Sequence, residues 1–599
     1  MKKGNLNLMF IVMGILFCAG TVTGAIKYSR YHQALLRSIL DRQPEQTVEQ
    51  AKLFLQENPE DTEAHFLMGV AYAWMGQVDS AVTRVQHALD LGLPPSRLIS
   101  GPRFLLEPLQ KQSAIKALID ESVIKPLHGP MIGLVTASSA RFWVRTAQGA
   151  TVQIKMRPSQ STTYSILSSK ARSLEFSDYT VALDVDGLEP DTRYDYAVEI
   201  DGDLHAEPYQ QFRTFPRAES PAEFRVVFGG GAGYYPENER MWDTVWSLNP
   251  TALLMLGDNV YIDDPFRPAM QRYCYYRRQS ILGWRRLAAS TSVYAIWDDH
   301  DFSDNDSWGG PNTPDAFDWA GNVANRWQQG GIHIFLPEAV ADTTAGGWNG
   351  EGWSPYVVAT GGHNGFDLDT DFIPERQHKV YVLDASFKPI TWEIFQQNWI
   401  NPERDDLSDL PGTFYTFSVG DVDFFMLDCR YYRTSPHIPG EVPTMLGPRQ
   451  KAWLKDRLSK SDASFKVIAS SVPWEFRSKG ESLDTWNGFR AERNELFDFI
   501  HQNRVEGVFL VSADRHRSDA YRIPWSEGYD FYEFESSKLT NPESHGTKEH
   551  ALFSYNAKPS CGLLEFDTTV ENPTVTYKIV NIDGETVYSL TLHRSQLSF

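Results

Sequence analysis

The run Ala252-Leu253-Leu254-Met255-Leu256-Gly257-Asp258-Asn259-Val260-Tyr261 decides the reading of this chain. A short apolar stretch suits a buried strand, and it ends abruptly in a carboxylate, an amide and a phenol. Two further runs repeat the pattern. Val293-Tyr294-Ala295-Ile296-Trp297 runs into Asp298-Asp299-His300-Asp301, and Val508-Phe509-Leu510-Val511-Ser512-Ala513 runs into Asp514-Arg515-His516. In a layered α/β fold the site lies beyond the carboxyl ends of the strands, so three such endings are expected to converge on one crevice. Clustered Asp, Asn and His cannot share a crevice as bare like charges, but they can once a metal ion neutralises them. The pattern therefore points to metal-dependent hydrolysis.

Working outward, residues 224–228, 424–427 and 465–470 read as further strands, and 449–458 and 495–502 as helices. Residues 303–378 are rich in Gly, Trp, Asn, Asp and Pro with little periodicity, which suits a substrate wall or lid. Residues 127–217 alternate in strand fashion around Ser138–Arg145. The stretch Gly187-Leu188-Glu189-Pro190-Asp191-Thr192-Arg193-Tyr194 has the turn and corner tyrosine of a fibronectin-like β-sandwich. Residues 28–126 carry helical spacing, broken by Asn58-Pro59-Glu60-Asp61, and one stretch after Ala64 is tetratricopeptide-like. The expected division is 1–27, leader; 28–126, helical segment; 127–217, β-sandwich; 218–599, catalytic domain.

With 599 residues the chain exceeds one core, and its 42% hydrophobic content describes a folded protein. A net charge of −21, with no basic stripe, argues against nucleic acid as a tracked polymer. Met1-Lys2-Lys3 followed by the apolar 6–26 stretch fits a signal peptide and a membrane anchor equally, with lipidation at Cys18 ranked last. Each places the body of the chain outside the cytoplasm. Cys274, Cys429 and Cys561 make no disulfide framework; one bridge and three free thiols both fit.

Taken together, Gly257–Tyr261, Trp297–Asp301, Leu427-Asp428-Cys429-Arg430-Tyr431-Tyr432-Arg433 and Ser512–His516 resemble the PhoD-like branch of the metallophosphatases. The resemblance runs over roughly 127–599. It implies a two-layered sheet flanked by helices, an α/β metallophosphatase-like domain, with two metal ions in its crevice. Iron and calcium are the implied pair, with magnesium, manganese or zinc as substitutes. By matching position Asp258 bridges both ions, Tyr261 ligates the more Lewis-acidic one, and Asp299 stands where a metallophosphatase places an Asn ligand, with Asn305 nearby to assist. Asp514 and His516 complete the set. His300 is the implied contact to phosphate or proton donor to the leaving oxygen, and Arg430 a phosphate-binding fork. One departure stands out. The family commonly has Gly-Ser-Cys after the first strand, its Cys ligating iron, whereas here the chain reads Phe228-Gly229-Gly230-Gly231-Ala232-Gly233. Gly231 supplies no thiolate, leaving water, a carboxylate such as Glu237 or another metal to fill the gap.

Two ions about 3.5–4 Å apart neutralise a transferring phosphoryl group and supply hydroxide at neutral pH. The implied reaction is hydrolysis of a phosphate ester by metal-activated hydroxide, in the manner of an alkaline phosphatase or phosphodiesterase. Asp298 reads as a supporting residue, Asp428 as either a ligand or an orienter of arginine, and Arg272, Arg277, Arg278 and Arg433 as further candidate forks. No Gly-x-Ser-x-Gly elbow, His-Glu-x-x-His helix or phosphate loop is present. The expected partners are a phosphate ester, the membrane through the N-terminal segment, and a protein partner for the helical segment. The rival reading, motivated by Gly231, is a non-catalytic cell-envelope scaffold on a degenerate phosphatase fold.

Overall fold

The computed structural model describes residues 28–122, 125–265, 267–303, 305–307, 347–348, 353–354, 387–404, 407–434, 436, 442–526 and 528–599. The leader and most of the 303–378 stretch lie outside them.

Two large sheets form the centre. The first runs, in spatial order, Thr586–His593, Thr574–Asn581, Ser560–Asp567, Glu223–Gly229, Ala252–Leu256, Ser292–Ile296, His128–Gly133, Ser139–Arg145 and Thr180–Asp186. The second runs Tyr415–Val419, Val422–Met426, Phe465–Ala469, Val508–Ser512, Phe531–Ser536, Ser518–Ile523 and Phe553–Tyr555. The middle strands of both are parallel, in register Leu254↔Tyr294 and Phe424↔Val467 for example.

The alternation of side chains along these strands explains the layering. Leu254, Leu256, Tyr294 and Ile296 belong to the core between the sheets, whereas Leu253, Met255, Val293 and Ala295 belong to the core on the opposite, helix-covered face. A strand buried on both faces reads as an unbroken apolar run, which is why no alternation is visible in 252–256. Aromatic pairs join the sheets: Tyr294 stacks on Phe417 at 3.7 Å, and Phe534 on Tyr577 at 4.2 Å between centroids. Truncating such a buried ring costs about 3–5 kcal/mol.

The 127–217 segment is not walled off from this frame. His128–Gly133 pairs in parallel with Ser292–Ile296 and antiparallel with Ser139–Arg145, so three of its strands extend the first large sheet across residue 217. The other layer is a separate sheet built on Thr151–Pro158 and Arg193–Ile200. The Tyr194 hydroxyl accepts the backbone N–H of Glu189 at 2.8 Å, a short-range tie of the kind the corner-tyrosine reading anticipates.

Six α-helices lie within residues 28–122: Tyr28–Leu40, Pro44–Glu57, Thr62–Trp74, Val78–Asp90, Arg103–Gln110 and Ser113–Ser122. Asp61 caps the third by accepting the Ala64 N–H at 2.7 Å. Gly69 lets the third and fourth approach closely, since a Cβ there would lie 2.7 Å from Val85 Cγ2. The apolar faces of these helices belong to the same core as Met270, Tyr273 and Trp284 on the helix-covered side of the first sheet. Buried Glu63 ties the two parts, accepting from Arg97 at 3.2 and 3.1 Å and from the Tyr273 hydroxyl at 2.8 Å. Cys274, Cys429 and Cys561 are buried free thiols, which settles the choice left open between one bridge and none.

Candidate metal centre

The carboxyl ends of the parallel strands from both sheets meet at one place, as the motif positions anticipate. The turns there need unusual backbone. Asp258, Tyr261, Asp263, Asp306, Asp514 and His516 all have φ between +47° and +74°, a left-handed region costly for non-glycine residues. Gly257, at φ +101°, must be glycine for a second reason: a Cβ would sit 2.5 Å from that of Asp298. The loop Asn259–Val260 is anchored by Asp301, whose carboxylate accepts the N–H groups of both residues at 2.9 and 3.0 Å. Asp301 is thus a structural carboxylate.

At the centre stands Asp258, 2% exposed. Its Oδ1 is buried with no hydrogen-bond partner among the described residues. Burial, reinforced by Asp299 and Asp298 against the pull of His300, pushes its carboxyl well above the ordinary range. A buried carboxylate with an orphan oxygen fits a cation. Around it the ligand atoms of Asp258, Asp299 and His300 lie within 4.8 Å of one another. His516 Nε2 lies 4.0 Å from Asp258 Oδ2 and 2.8 Å from the Tyr261 hydroxyl. Burial and the Asp258 carboxylate likewise hold the Tyr261 phenol well above its usual value, a barrier that a strongly Lewis-acidic ion would remove.

A second carboxylate group adjoins the first. Asp299, Asp306 and Asp484 again bring their oxygens within 4.8 Å of one another. Asn305 lies beside Asp306 and is partly exposed; it is Asp306 whose N–H donates to Asp299 Oδ2 at 2.6 Å. Asp514 is drawn to this side by Lys479, whose Nζ lies 2.8 Å from Asp484 Oδ2, 2.9 Å from Asp306 Oδ1 and 3.2 Å from Asp514 Oδ2. Burial opposes the lysine charge, but these three carboxylates outweigh it and raise its pKa well above normal.

Arg430 differs from expectation. It is fully buried and its guanidinium is spent on protein groups: Nε on Asp298 Oδ1 at 2.6 Å, Nη1 on Asp484 Oδ1 at 2.7 Å and the Ser307 carbonyl at 2.8 Å. A fork so engaged sets carboxylates in place and does not reach substrate. Arg433 also pairs with Asp484, at 2.6 Å. Arg277 and Arg278 are buried among His32, Tyr234 and Glu239, and Arg272 reaches Gln397. Asp298 accepts from Ser471 Oγ at 2.9 Å as well as from Arg430, a supporting position. Asp428 caps its own turn, accepting the N–H groups of Arg430 and Tyr431 at 2.8 Å each, and so orients rather than ligates.

Two further contributors carried no motif. Asp263 holds His300 by a short hydrogen bond to Nδ1. Burial disfavours the imidazolium, but Asp263, then Asp299 and Asp258, outweigh it and raise the ring's pKa to about 10. Asn541 donates to the Tyr261 hydroxyl at 2.7 Å and lies 3.2 Å from His516 Nε2. Its backbone N–H donates to the Gly231 carbonyl at 3.0 Å, so it belongs to the glycine run that lacks the thiol. A Cβ on Gly231 would meet His516 Cδ2 at 3.4 Å, so position 231 does face the site. Glu237 is exposed on the short turn Pro236–Asn238. A cleft of about 740 Å³ between Trp143, Trp399 and Tyr431 contains none of the candidate metal ligands; ligand chemistry, not volume, locates the site.

A double-layered sheet flanked by helices, with oxygen and imidazole donors at its strand ends, is the fold of the metallophosphatases. More particularly, residues 397–599 match the PhoD-like phosphatase family, and residues 125–219 match a domain of unknown function, DUF7800. Alkaline phosphatase D of Bacillus subtilis (strain 168) is 29% identical over 257 residues, 33% of this chain and 43% of that protein. The match thus spans less than half of that relative's length. The solved structure of PhoD superposes with a TM-score of 0.54 at 16% identity, over 78% of this chain and 93% of the other, a likeness of fold.

Proposed function

We propose that this protein is a metal-dependent phosphoesterase of the alkaline phosphatase or phosphodiesterase kind. The observation that carries the reading is Asp258: a buried carboxyl with an orphan oxygen, set among Tyr261, Asp299, His300 and His516. Asp258, Tyr261 and His516 are the residues to hold one ion, and Asp258, Asp299 and Asp514 with the Asp306 turn, where Asn305 lies, a second. Hard oxygen donors suit calcium, magnesium or manganese, and a phenolate suits ferric iron; with no thiolate at 231, Asn541 is the further side chain against Tyr261 and His516. When bound, such ions neutralise phosphoryl charge and lower the pKa of water.

The chain's own residues do the rest. Arg430 and Lys479 fix the carboxylates and offset part of their mutual repulsion. Asp263 takes Nδ1 of His300 and leaves Nε2 as the ring atom for the site, suited to protonate a leaving alkoxide, an effect typically worth about 10²–10⁴-fold. We further propose export, with 1–27 as signal peptide or anchor. The apolar charge pattern of that segment supports it; among the described residues no helix is long and apolar enough to cross a membrane. A protein partner for the helical segment has less to recommend it, since the apolar faces of those helices are occupied by the catalytic domain.

The test is elemental analysis of the purified protein alongside hydrolysis of aryl phosphate mono- and diesters. Asp258→Asn is expected to lose metal and turnover together. A protein that takes up no metal and hydrolyses nothing after supply of iron, calcium, manganese and zinc is the scaffold instead.

A further inference from the structure

The helix Tyr28–Leu40 reaches the catalytic loop with one face. Arg30, Gln33 and Arg37 are spaced i, i+3, i+7, so they share a stripe. Each grips the segment that follows Tyr261. Arg30 donates to both oxygens of Asp263, Nε to Oδ2 at 2.8 Å and Nη2 to Oδ1 at 3.1 Å. Gln33 Nε2 donates to the carbonyls of Tyr261 at 2.6 Å and Ile262 at 3.0 Å. Arg37 Nη2 donates to Asp264 Oδ2 at 3.1 Å.

The same loop is bound from its other side by His300, whose carbonyl accepts the Ile262 N–H at 2.7 Å and whose ring stacks on Tyr261 at 4.7 Å. Asp263 therefore sits between two partners. One is the imidazole of His300; the other is a guanidinium that belongs to a helix more than 200 residues earlier in the chain, at a separation of 233. A bidentate guanidinium fixes both the plane and the position of a carboxylate. Side-chain exposures of 8% for Asp263 and 5% for His300, against 32% for Arg30, put the arginine on the outer side of this group; its Nη2 also lies 3.4 Å from His300 Nδ1, longer than either of its hydrogen bonds to Asp263.

We propose that Arg30 is a positioning residue for His300, acting through Asp263, and that the N-terminal helix is thereby part of the active site. It holds the Asp263 carboxylate in the one orientation that directs His300 Nε2 toward the leaving oxygen. Loss of Arg30 lets that carboxylate, and the ring it holds, rotate; the metal ligands are untouched. This rests on the phosphoesterase reading.

The experiment uses the full chain and the variants Arg30→Ala, Arg30→Lys and Asp263→Asn, each assayed for metal content, melting temperature, kcat and KM. Two esters are compared, nitrophenyl phosphate with a good leaving group and an alkyl phosphate that needs a proton donor. For Arg30→Ala the expected result is kcat lower by about 10-fold on the alkyl ester and by much less on the nitrophenyl ester, with KM and metal content at wild-type levels. Arg30→Lys restores part of the loss, and Asp263→Asn shows the same leaving-group pattern with a larger drop. Equal losses on both esters, no loss, or a fall in metal content that tracks the fall in rate would overturn the proposal while leaving the phosphoesterase intact. Absence of turnover in the metal-loaded wild type overturns the phosphoesterase reading itself, and the positioning role with it.

Discussion

The side-chain amide of Asn541 lies 2.7 Å from the Tyr261 hydroxyl and 3.2 Å from Nε2 of His516, the ring that a Cβ on Gly231 would meet. The glycine run and the loop after Ser536 are therefore complementary: where one lacks a side chain, the other supplies one. Removing it as Asn541→Ala should weaken binding of the ion nearest Tyr261 by about 10–100-fold, the usual cost of losing a supporting contact. Titration of the metal-free protein, followed by atomic absorption or by any tyrosinate-to-iron absorption band, measures it. Unchanged affinity would mean that Asn541 only fills space.

The converse substitution, Gly231→Cys, reintroduces a thiol where φ is +65° and the neighbouring contacts are 3.3–3.4 Å. The left-handed backbone should cost about 1–3 kcal/mol of stability in the metal-free protein, read as a lower melting temperature. Iron is expected to restore part of that loss and to add a thiolate charge-transfer band.

Lys479 is a fixed cation amid Asp306, Asp484 and Asp514. Lys479→Met leaves those buried carboxylates without it, a change expected to destabilise the metal-free protein by about 3–5 kcal/mol. Because the vacated space is lined by oxygens, calcium or manganese should recover much of the loss. Urea unfolding with and without the ions distinguishes this from simple misfolding, in which added cation changes nothing.

Arg430 has a different signature. Its partners Asp298 and Asp484 are 1% and 3% exposed. Arg430→Gln should therefore lower stability by about 3–5 kcal/mol in the metal-free and metal-loaded protein alike. A variant of wild-type stability with a raised KM for phosphate esters would restore the substrate-fork role.

Glu533 offers a pH test away from the site. It lies buried between the Val508–Ser512 and Ser518–Ile523 strands and accepts the N–H groups of Trp474 and Glu475. Burial raises its pKa from 4.5 to about 7, against those hydrogen bonds. The native state thus holds this proton more tightly than the unfolded chain. Its stabilising contribution is complete below about pH 4.5 and lost as the pH rises through 7, on the order of 3 kcal/mol in all. Glu533→Gln should flatten the stability profile across that window. Parallel profiles for variant and wild type would refute the assignment.

Much of the site was legible because strand ends announce themselves. A buried strand must be apolar, so the first polar residues beyond it stand out, and Asp258, Asp299, His300 and Asp514 all occupy such positions. Asp263, Asn541 and Lys479 were not legible, because each lies in a loop whose path is set by distant packing. Arg430 shows the limit from the other side. Its residue type suits a phosphate fork, but its partner Asp484 lies 54 residues later in a stretch without motif, and only the fold brings them together. The sandwich at 127–217 was recognisable by its corner tyrosine, yet nothing in its sequence indicates that His128–Gly133 would pair with Ser292–Ile296.

The order of strands in the first sheet also governs when the protein can fold. Glu223–Gly229 lies between Ala252–Leu256 and Ser560–Asp567, so one edge of this central strand stays open until residues near the far end of the chain arrive. The helix Tyr28–Leu40 likewise waits for the Asp263 loop. Contacts this remote in sequence slow folding and leave apolar strand edges bare meanwhile. A chain built this way keeps its central sheet unfinished until its last strands are in place.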